Sequence, residues 1–215
     1  MGITLGSNIA SLKAQRSLGL STDSLGRTFE RLSSGQRINR ASDDAAGLAI
    51  ADSLKASQRV ATVAIRNAND GISTIAIADS ALGEIGNVLS RLAELAEQSA
   101  NGVFSTVQRS ALANEFIALS SEVERIATTT QFNGVALLSG GSTLTLQVGF
   151  NSTSTSQISF TGVQGTLQAL GLATTGTSVL QFSLNGATIA EGQSASRAAL
   201  DAVNSAITSL ASTRG

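Results

Sequence analysis

The chain has 215 residues and a formal net charge of −1, long enough to bury the core of one large or two small domains and too close to neutral for general affinity for nucleic acid. It contains no Cys, His, Tyr, Trp or Pro and only seven Phe. Disulfides and thiolate metal sites are thereby excluded and the commonest general base is absent, so neither enzyme chemistry nor a resident metal or cofactor is expected.

Residues 1 to 43 carry Lys13, Arg16, Arg27, Arg31, Arg37 and Arg40 against Asp23, Glu30 and Asp43, a segment of net charge +3. Its start, "MGITLGSNIASLKAQRS", has no basic stretch leading into an apolar run, and no uninterrupted apolar stretch in the chain approaches the ~18 residues of a membrane span. Leu18, Leu25, Phe29 and Leu32 form an apolar seam at helical spacing that extends a weaker one through Leu5, Ile9 and Leu12. This seam has no evident partner elsewhere in the chain. A marginal amphipathic helix of this kind is expected to stay disordered until another surface covers it, which points to assembly.

The stretch "RINRASDDAAGLAIA", residues 37 to 51, sets two arginines, a serine and two aspartates ahead of small apolar residues. Asp43 and Asp44 invite a general acid/base reading, but adjacent helical residues point about 100° apart and do not converge on one substrate. Ser42 has no histidine to activate it as a nucleophile. The favoured reading has Ser42 capping a helix whose positive end the two aspartates complement.

From there to about Ser99 the apolar residues Ile75, Ala78, Leu82, Ile85, Leu89, Leu92 and Ala96 alternate in steps of three and four, the coiled-coil pattern. Such a helix would be on the order of 80 Å long, and Asn101-Gly102, both tolerant of the left-handed conformation, would end it. A second seam through Leu112, Phe116, Leu119, Val123 and Ile126 predicts a helix that folds back on the first. Residues 44 to 125 are mildly acidic, and 126 to 190 contain no Asp, Glu, Lys or Arg at all. In that stretch the period changes: "TLTLQVGF" (143 to 150), "QISF" (157 to 160) and "LQFSL" (180 to 184) alternate as short strands do, with Asn133-Gly134 and Asn185-Gly186 as turn signals. Leu, Val, Ile and Phe would face inward and hydroxyls outward. Asn151-Ser152-Thr153 matches an N-glycosylation pattern and the Ser and Thr between 139 and 178 could accept O-linked sugar, but both features read more simply as a polar, uncharged surface. Leu200, Val203, Ile207 and Leu210 mark a last helix after Glu191. The expected fold is mainly α with a small β module: a long antiparallel helical rod with coiled-coil packing plus short β-hairpins.

Three stretches, "RLSSGQRINRASDDAAGLAIADSL" (31 to 54), "RNANDGISTIAIADSALGEIGNVLSRLAELAEQSANG" (66 to 102) and "QFNGVALLSG" (131 to 140), closely resemble bacterial flagellin, the subunit of the flagellar filament. The closing "ALDAVNSAITSLASTRG" resembles the start of that family's returning helix, which in the family continues further to the channel wall, so the chain is expected to lack the C-terminal end. The resemblance implies an N-terminal filament-core helix at 1–35, a spoke or linker at 36–44, a helical rod at 45–130, the uncharged β-containing module at 131–190 and a truncated returning helix at 191–215. It implies self-assembly with filament neighbours for motility, export by the flagellar type III apparatus, contact with the filament cap, a secreted, extracellular location, and neither nucleic acid nor membrane as a partner. Assembly residues implied at the spoke are Arg31, Arg37, Arg40, Asp43 and Asp44. Flagellins are also bound by a Toll-like innate immune receptor, and the matching positions are Leu89, Arg91, Leu95 and Glu115, with Ser90 where receptor-activating members usually have glutamine. Leu89 and Leu95 could equally be rod core. The rival readings are a hook–filament junction protein, which shares terminal motifs with flagellin, and a secreted adhesin or receptor ligand that uses the β module.

Overall fold

The computed structural model describes residues 8–140, 143–161, 163–174 and 176–214; Leu5, named in the weak N-terminal seam, lies outside them. In chain order the elements are α1 (Ile9–Ser34), α2 (Ala45–Ala100), α3 (Thr106–Thr129), β1 (Gln131–Phe132), β2 (Val135–Ala136), β3 (Thr143–Gln147), β4 (Gln157–Thr161) and α4 (Ile189–Arg214), with a single 3-10 turn at Ser154–Ser156. The fold is mainly α, with two small antiparallel hairpins, β1-β2 and β3-β4. The chain divides into two compact units, Met1–Val60 and Ala61–Gly215, and the start of α2 belongs to the first.

In the first unit, α1 opens where the Asn8 side chain accepts the Ser11 N–H at 3.2 Å and closes at Gly35, which takes the left-handed φ of 66°. No residue of α1 is buried, and Leu18 and Phe29 of the seam are 70% and 61% exposed. The seam is unpartnered among the described residues, as its isolation in the sequence suggests, yet the segment is helical and not disordered. Caps at both ends and a run of straight-chain residues favour the helix without tertiary support.

In the second unit the apolar stripes of three helices meet in one core. Ala78, Leu82, Ile85, Leu89, Leu92, Leu95 and Ala96 of α2 pack with Ala113, Phe116, Val123 and Ala127 of α3 and with Ala199, Val203, Ala206 and Leu210 of α4. The stripe departs from expectation at its upper end, where Gly71 and Thr74 are buried and Ile75 stays 43% exposed. Gly71 is there because of β3: a Cβ at this position would run into the Leu146 side chain. An 18-residue window of α2 reaches a mean hydropathy of 1.2, enough by length and composition for a membrane span that no uninterrupted apolar run suggests. Several of its apolar residues line this core instead.

The residues between α3 and α4 close the core. Leu137, Leu138, Leu167, Leu170, Leu172 and Leu184 are buried in the same cluster. The inward apolar set is thus largely leucine, while Ile158 (53%) and Phe150 (64%) are exposed. Asn133 (φ 49°) and Gly134 (φ 80°) form the expected turn between β1 and β2. The strand expected at 180 to 184 is not formed: Leu180 makes only an isolated bridge with Ala173, and Gln181 donates its N–H to the Leu172 carbonyl at 2.9 Å. Its alternation reflects Leu184 reaching the core and not a ladder. Glu124 of α3 ties down this region by accepting the Leu167 N–H at 2.9 Å and the Ser178 hydroxyl at 3.1 Å.

Helix ends are satisfied by named side chains. Ser105 and Gln108 form a capping box at the start of α3, and Thr188 and Glu191 exchange N–H donations of 3.0 and 3.2 Å at the start of α4. The C-terminus of α2 does stop at Asn101-Gly102, but neither residue takes a positive φ. Its orphan carbonyls are met from outside the helix. The buried Arg109 guanidinium donates to the Ser99 carbonyl and the Asn101 carbonyl, each at 2.8 Å, and Gln193 of α4 reaches the Ala100 carbonyl at 3.3 Å. A cation at a helix C-terminus is favoured by the macrodipole, and here the main-chain carbonyls take the place of a carboxylate partner for the buried guanidinium. Beside it Ser196 donates to Ser99 Oγ at 2.8 Å, a buried hydroxyl pair between α4 and α2.

Arg109→Ala removes both hydrogen bonds and the packing of a large buried side chain. It is expected to lower stability by roughly 2–4 kcal/mol, read as a shift of the denaturant midpoint; an unchanged midpoint would mean that the end of α2 needs no clamp.

Candidate functional site

The candidate site is the joint between α1 and α2. Gly35 reverses the chain, and the next nine residues bring the end of α1 against the start of α2. Arg31 Nη2 lies 3.0 Å from Asp43 Oδ1, and Arg40 Nε lies 3.0 Å from Glu30 Oε1. The second Asp43 oxygen accepts the backbone N–H groups of Asn39 (3.4 Å) and Arg40 (3.3 Å), while the Asp43 N–H donates to the Arg40 carbonyl at 2.9 Å. One carboxylate thereby holds the last turn of α1 and the turn that precedes α2.

Asp44 has a separate task. Its Oδ1 accepts the Gly47 N–H at 2.9 Å and its carbonyl accepts the Leu48 N–H at 3.0 Å, so it is the residue that caps α2. The expectation that Ser42 caps the helix is corrected by two residues: the helix begins at Ala45, and an aspartate both caps it and places negative charge at its positive end. Gly47 has to be glycine-sized here, since a Cβ would meet the Asp44 carboxylate and the Ile38 Cδ1 at 2.7 Å. The two aspartates are bound up in different hydrogen bonds and do not face a common space.

Of the residues picked out in the sequence, the structure brings Arg31, Arg40 and Asp43 into one ionic brace and assigns Asp44 to the cap. Arg37 has no hydrogen-bond or ion-pair partner among the described residues; it lines a shallow cleft of about 300 Å³ with Arg31, Ile38, Asp43 and Asp44. Glu30, the partner of Arg40, was not singled out. Nothing local marks it, because its ten-residue separation from Arg40 closes only through the reversal at Gly35.

Partial burial alone would raise the Asp43 pKa, but the Arg31 guanidinium, the two N–H donors and the Arg31 charge together outweigh it and hold the carboxyl below its ordinary 3.8. A depressed carboxylate pKa stabilises the folded joint fully above that ordinary value, and the contribution fades as pH falls through the lowered one.

The second group of residues lies in the other unit. Leu89 and Leu95 are fully buried in the three-helix core. Arg91 and Glu115 are exposed and paired at 2.9 Å, linking α2 to α3, and Glu94 joins the same guanidinium at 2.8 Å. Those carboxylates, Glu94 and then Glu115, raise the Arg91 pKa. Ser90 turns its hydroxyl back onto the Gly86 carbonyl at 2.9 Å.

An NMR titration is expected to place the Asp43 midpoint below 3.8 and to move it upward in Arg31→Ala. A midpoint at or above the ordinary value, unmoved by that substitution, would contradict the brace.

Comparison with known proteins fits this architecture. The family model of the bacterial flagellin N-terminal helical region matches residues 5–143. Polar flagellin F of Vibrio parahaemolyticus is 51% identical over 140 residues, 65% of this chain and 37% of that protein. Flagellin B of Vibrio cholerae is 41% identical over 172 residues, 80% of this chain and 46% of that protein. The aligned part of the chain thus spans less than half the length of these relatives. The crystal structure of Bacillus cereus flagellin shares the fold at a TM-score of 0.56 with 24% identity, over 69% of this chain and 78% of that one. The long capped α2, its returning partner α3 and the turn at Asn133-Gly134 all lie within the matched residues, and through them the chain belongs to the bacterial flagellin family.

Proposed function

We propose that this chain is a structural subunit of the extracellular flagellar filament and serves motility. The observation that carries the reading is the apolar surface that the first unit leaves uncovered. Leu18, Leu25, Phe29 and Leu32 of α1 and Ile50 and Leu54 of early α2 are each more than half exposed. A surface of this kind on a soluble chain calls for a partner, and identical copies are the partner that the family supplies. In this reading residues 1–35 form the filament-core helix, 36–44 the spoke, 45–130 the rod, 131–190 the β-containing module and 191–215 the returning rod helix. The subunit is secreted through the flagellar type III apparatus and placed under the filament cap, and it performs no catalysis.

The joint then fixes how the end of α1 meets the start of α2 within the first unit. Arg31, Arg40 and Asp43 brace that joint within each copy, Asp44 fixes where the rod helix starts, and Arg37, without a partner among the described residues, is left for a neighbouring copy. For an innate receptor of the Toll-like class, Arg91 and Glu115 offer an exposed polar patch bridging two helices; the burial of Leu89 and Leu95 supports a role beneath that patch, shaping it from the core.

Filaments sheared from cells that encode this chain are expected to contain its peptides as a major component. A few copies per flagellum would favour a junction protein, and absence from filaments together with loss of surface adhesion on deleting residues 141–188 would favour an adhesin; either result overturns the proposal. Within the filament reading, Asp43→Ala is expected to shorten filaments while leaving the thermal unfolding of the second unit unchanged, measured by electron microscopy and calorimetry of the same preparation. Filaments of normal length and stability would remove Asp43 from assembly.

A further inference from the structure

The β3-β4 hairpin has two edges, and they differ. The ladder pairs Leu146 with Ile158 and Leu144 with Phe160. Val148 donates its N–H to the Ser156 carbonyl at 2.9 Å, which fixes the alternation: 146/158 and 144/160 are the hydrogen-bonded pairs, and 145, 147, 157 and 159 turn their backbone groups outward. Two contacts agree with that assignment, since the Gln147 carbonyl accepts from the Asn67 side chain of α2 at 2.9 Å and the Gln157 N–H from its outward position reaches the Ser154 carbonyl. The β3 edge is thus engaged by α2. The β4 edge is open: Gln157, Ile158 and Ser159 are exposed, and Ser159 makes no backbone hydrogen bond outside the ladder among the described residues.

Open strand edges are normally guarded by charge, proline, a bulge or a cover. Here the surrounding sequence from 126 to 190 has no charged residue and no proline, and the strand register runs without a bulge from Thr143↔Thr161 to Gln147↔Gln157. We propose that the β4 edge pairs antiparallel with the β4 edge of a second copy of this chain, about a local two-fold axis at Ser159. The sequence "QISFT" suits its own mate. With Ser159 opposite Ser159 of the second copy, Ser159 forms a complete new hydrogen-bonded pair, and the Thr161 N–H of each copy donates to the Gln157 carbonyl of the other, while the Gln157 N–H stays on Ser154. Ile158 then falls opposite the mate's Phe160 in a non-hydrogen-bonded pair, the closer of the two spacings, where β-branched and aromatic side chains favour each other. Two two-stranded ribbons become one four-stranded sheet, and the exposed Ile158 is covered. The interface is small and isologous, suited to weak pairing that becomes effective when many copies are displayed together.

The proposal does not depend on the filament reading, because the test uses the purified 215-residue chain alone. The native sequence has no cysteine, so Ser159→Cys and Gln157→Cys each introduce a single thiol. The two-fold axis places position 159 about 5.5 Å from its own mate, within disulfide range, and position 157 roughly 13 Å from its own mate, outside it. Under mild oxidation Ser159→Cys is expected to form covalent dimers on the order of tenfold faster than Gln157→Cys. Adding Ile158→Lys to Ser159→Cys should abolish the difference, with an unchanged far-ultraviolet circular dichroism spectrum showing that the fold is intact. Association through α1 would leave the two single-cysteine chains equally slow. Equal rates, or a rate advantage that survives Ile158→Lys, would overturn the proposal.

Discussion

The structure depends on one constraint: the buried face of α2 has to be covered from two directions at once. Ile85, Leu89, Leu92 and Leu95 have no exposed surface, and no single helix laid alongside can achieve that. α3 covers one flank and α4 the other, while the leucines between them close the gap near Ile85, where Gly165 approaches within contact of the Ile85 side chain. Because α3 follows α2 in the chain and α4 arrives some sixty residues later, the fold joins a local hairpin to a distant segment. The polar contacts lie where that join is made. Ser196 meets Ser99, Gln193 meets Ala100, and Arg214 pairs with Asp79 at 2.9 Å towards the other end. Such contacts add little energy compared with the leucines, but they fix the register of α4 along α2.

The joint works by different physics. It has no buried core residue between 31 and 44, so its shape comes from hydrogen bonds to charged groups and from one left-handed glycine. Arg31–Asp43 sets a half-exposed guanidinium against a largely covered carboxylate, and Arg40–Glu30 is the more exposed pair; each is worth little by itself, yet they act together with the two N–H groups bound by Asp43. That combination makes a hinge region that is braced without being packed. A packed joint draws its shape from apolar contacts; this one draws it from directed hydrogen bonds to a single carboxylate.

Much of this was legible in the sequence because the three-and-four spacing of the helices is long and uninterrupted, and because Asn133-Gly134 permits few conformations other than the turn it makes. The failures have specific causes. "ASDD" offers three capping residues in succession, and the one used depends on where Gly35 and the Asp43 brace deliver the chain. "LQFSL" alternates as a strand does, but Leu184 is drawn to the helical core and no partner strand is at hand. Arg109 could not be found by spacing, since its acceptors are main-chain carbonyls whose direction is set only once α2 has ended. The candidate-site residues were identifiable as a charged cluster, whereas their division into brace, cap and unpaired cation required the backbone reversal. Leu89 lies on the three-and-four seam and was legible as core, whereas Leu95 falls off that seam and its burial shows only in the structure.

The charge-free run from 126 to 190 has a consequence for how the molecule responds to its surroundings. No side chain in those residues gains or loses a proton between strong acid and strong alkali below the range of serine and threonine hydroxyls. Their surface presents the same face to brackish, acidic or alkaline water, and dissolved ions have nothing there to screen. The nearest charge that holds it is the Glu124 carboxylate, which grips the Leu167 N–H and the Ser178 hydroxyl from α3. A change in the acidity or salt of the surroundings therefore leaves the gripped surface chemically silent.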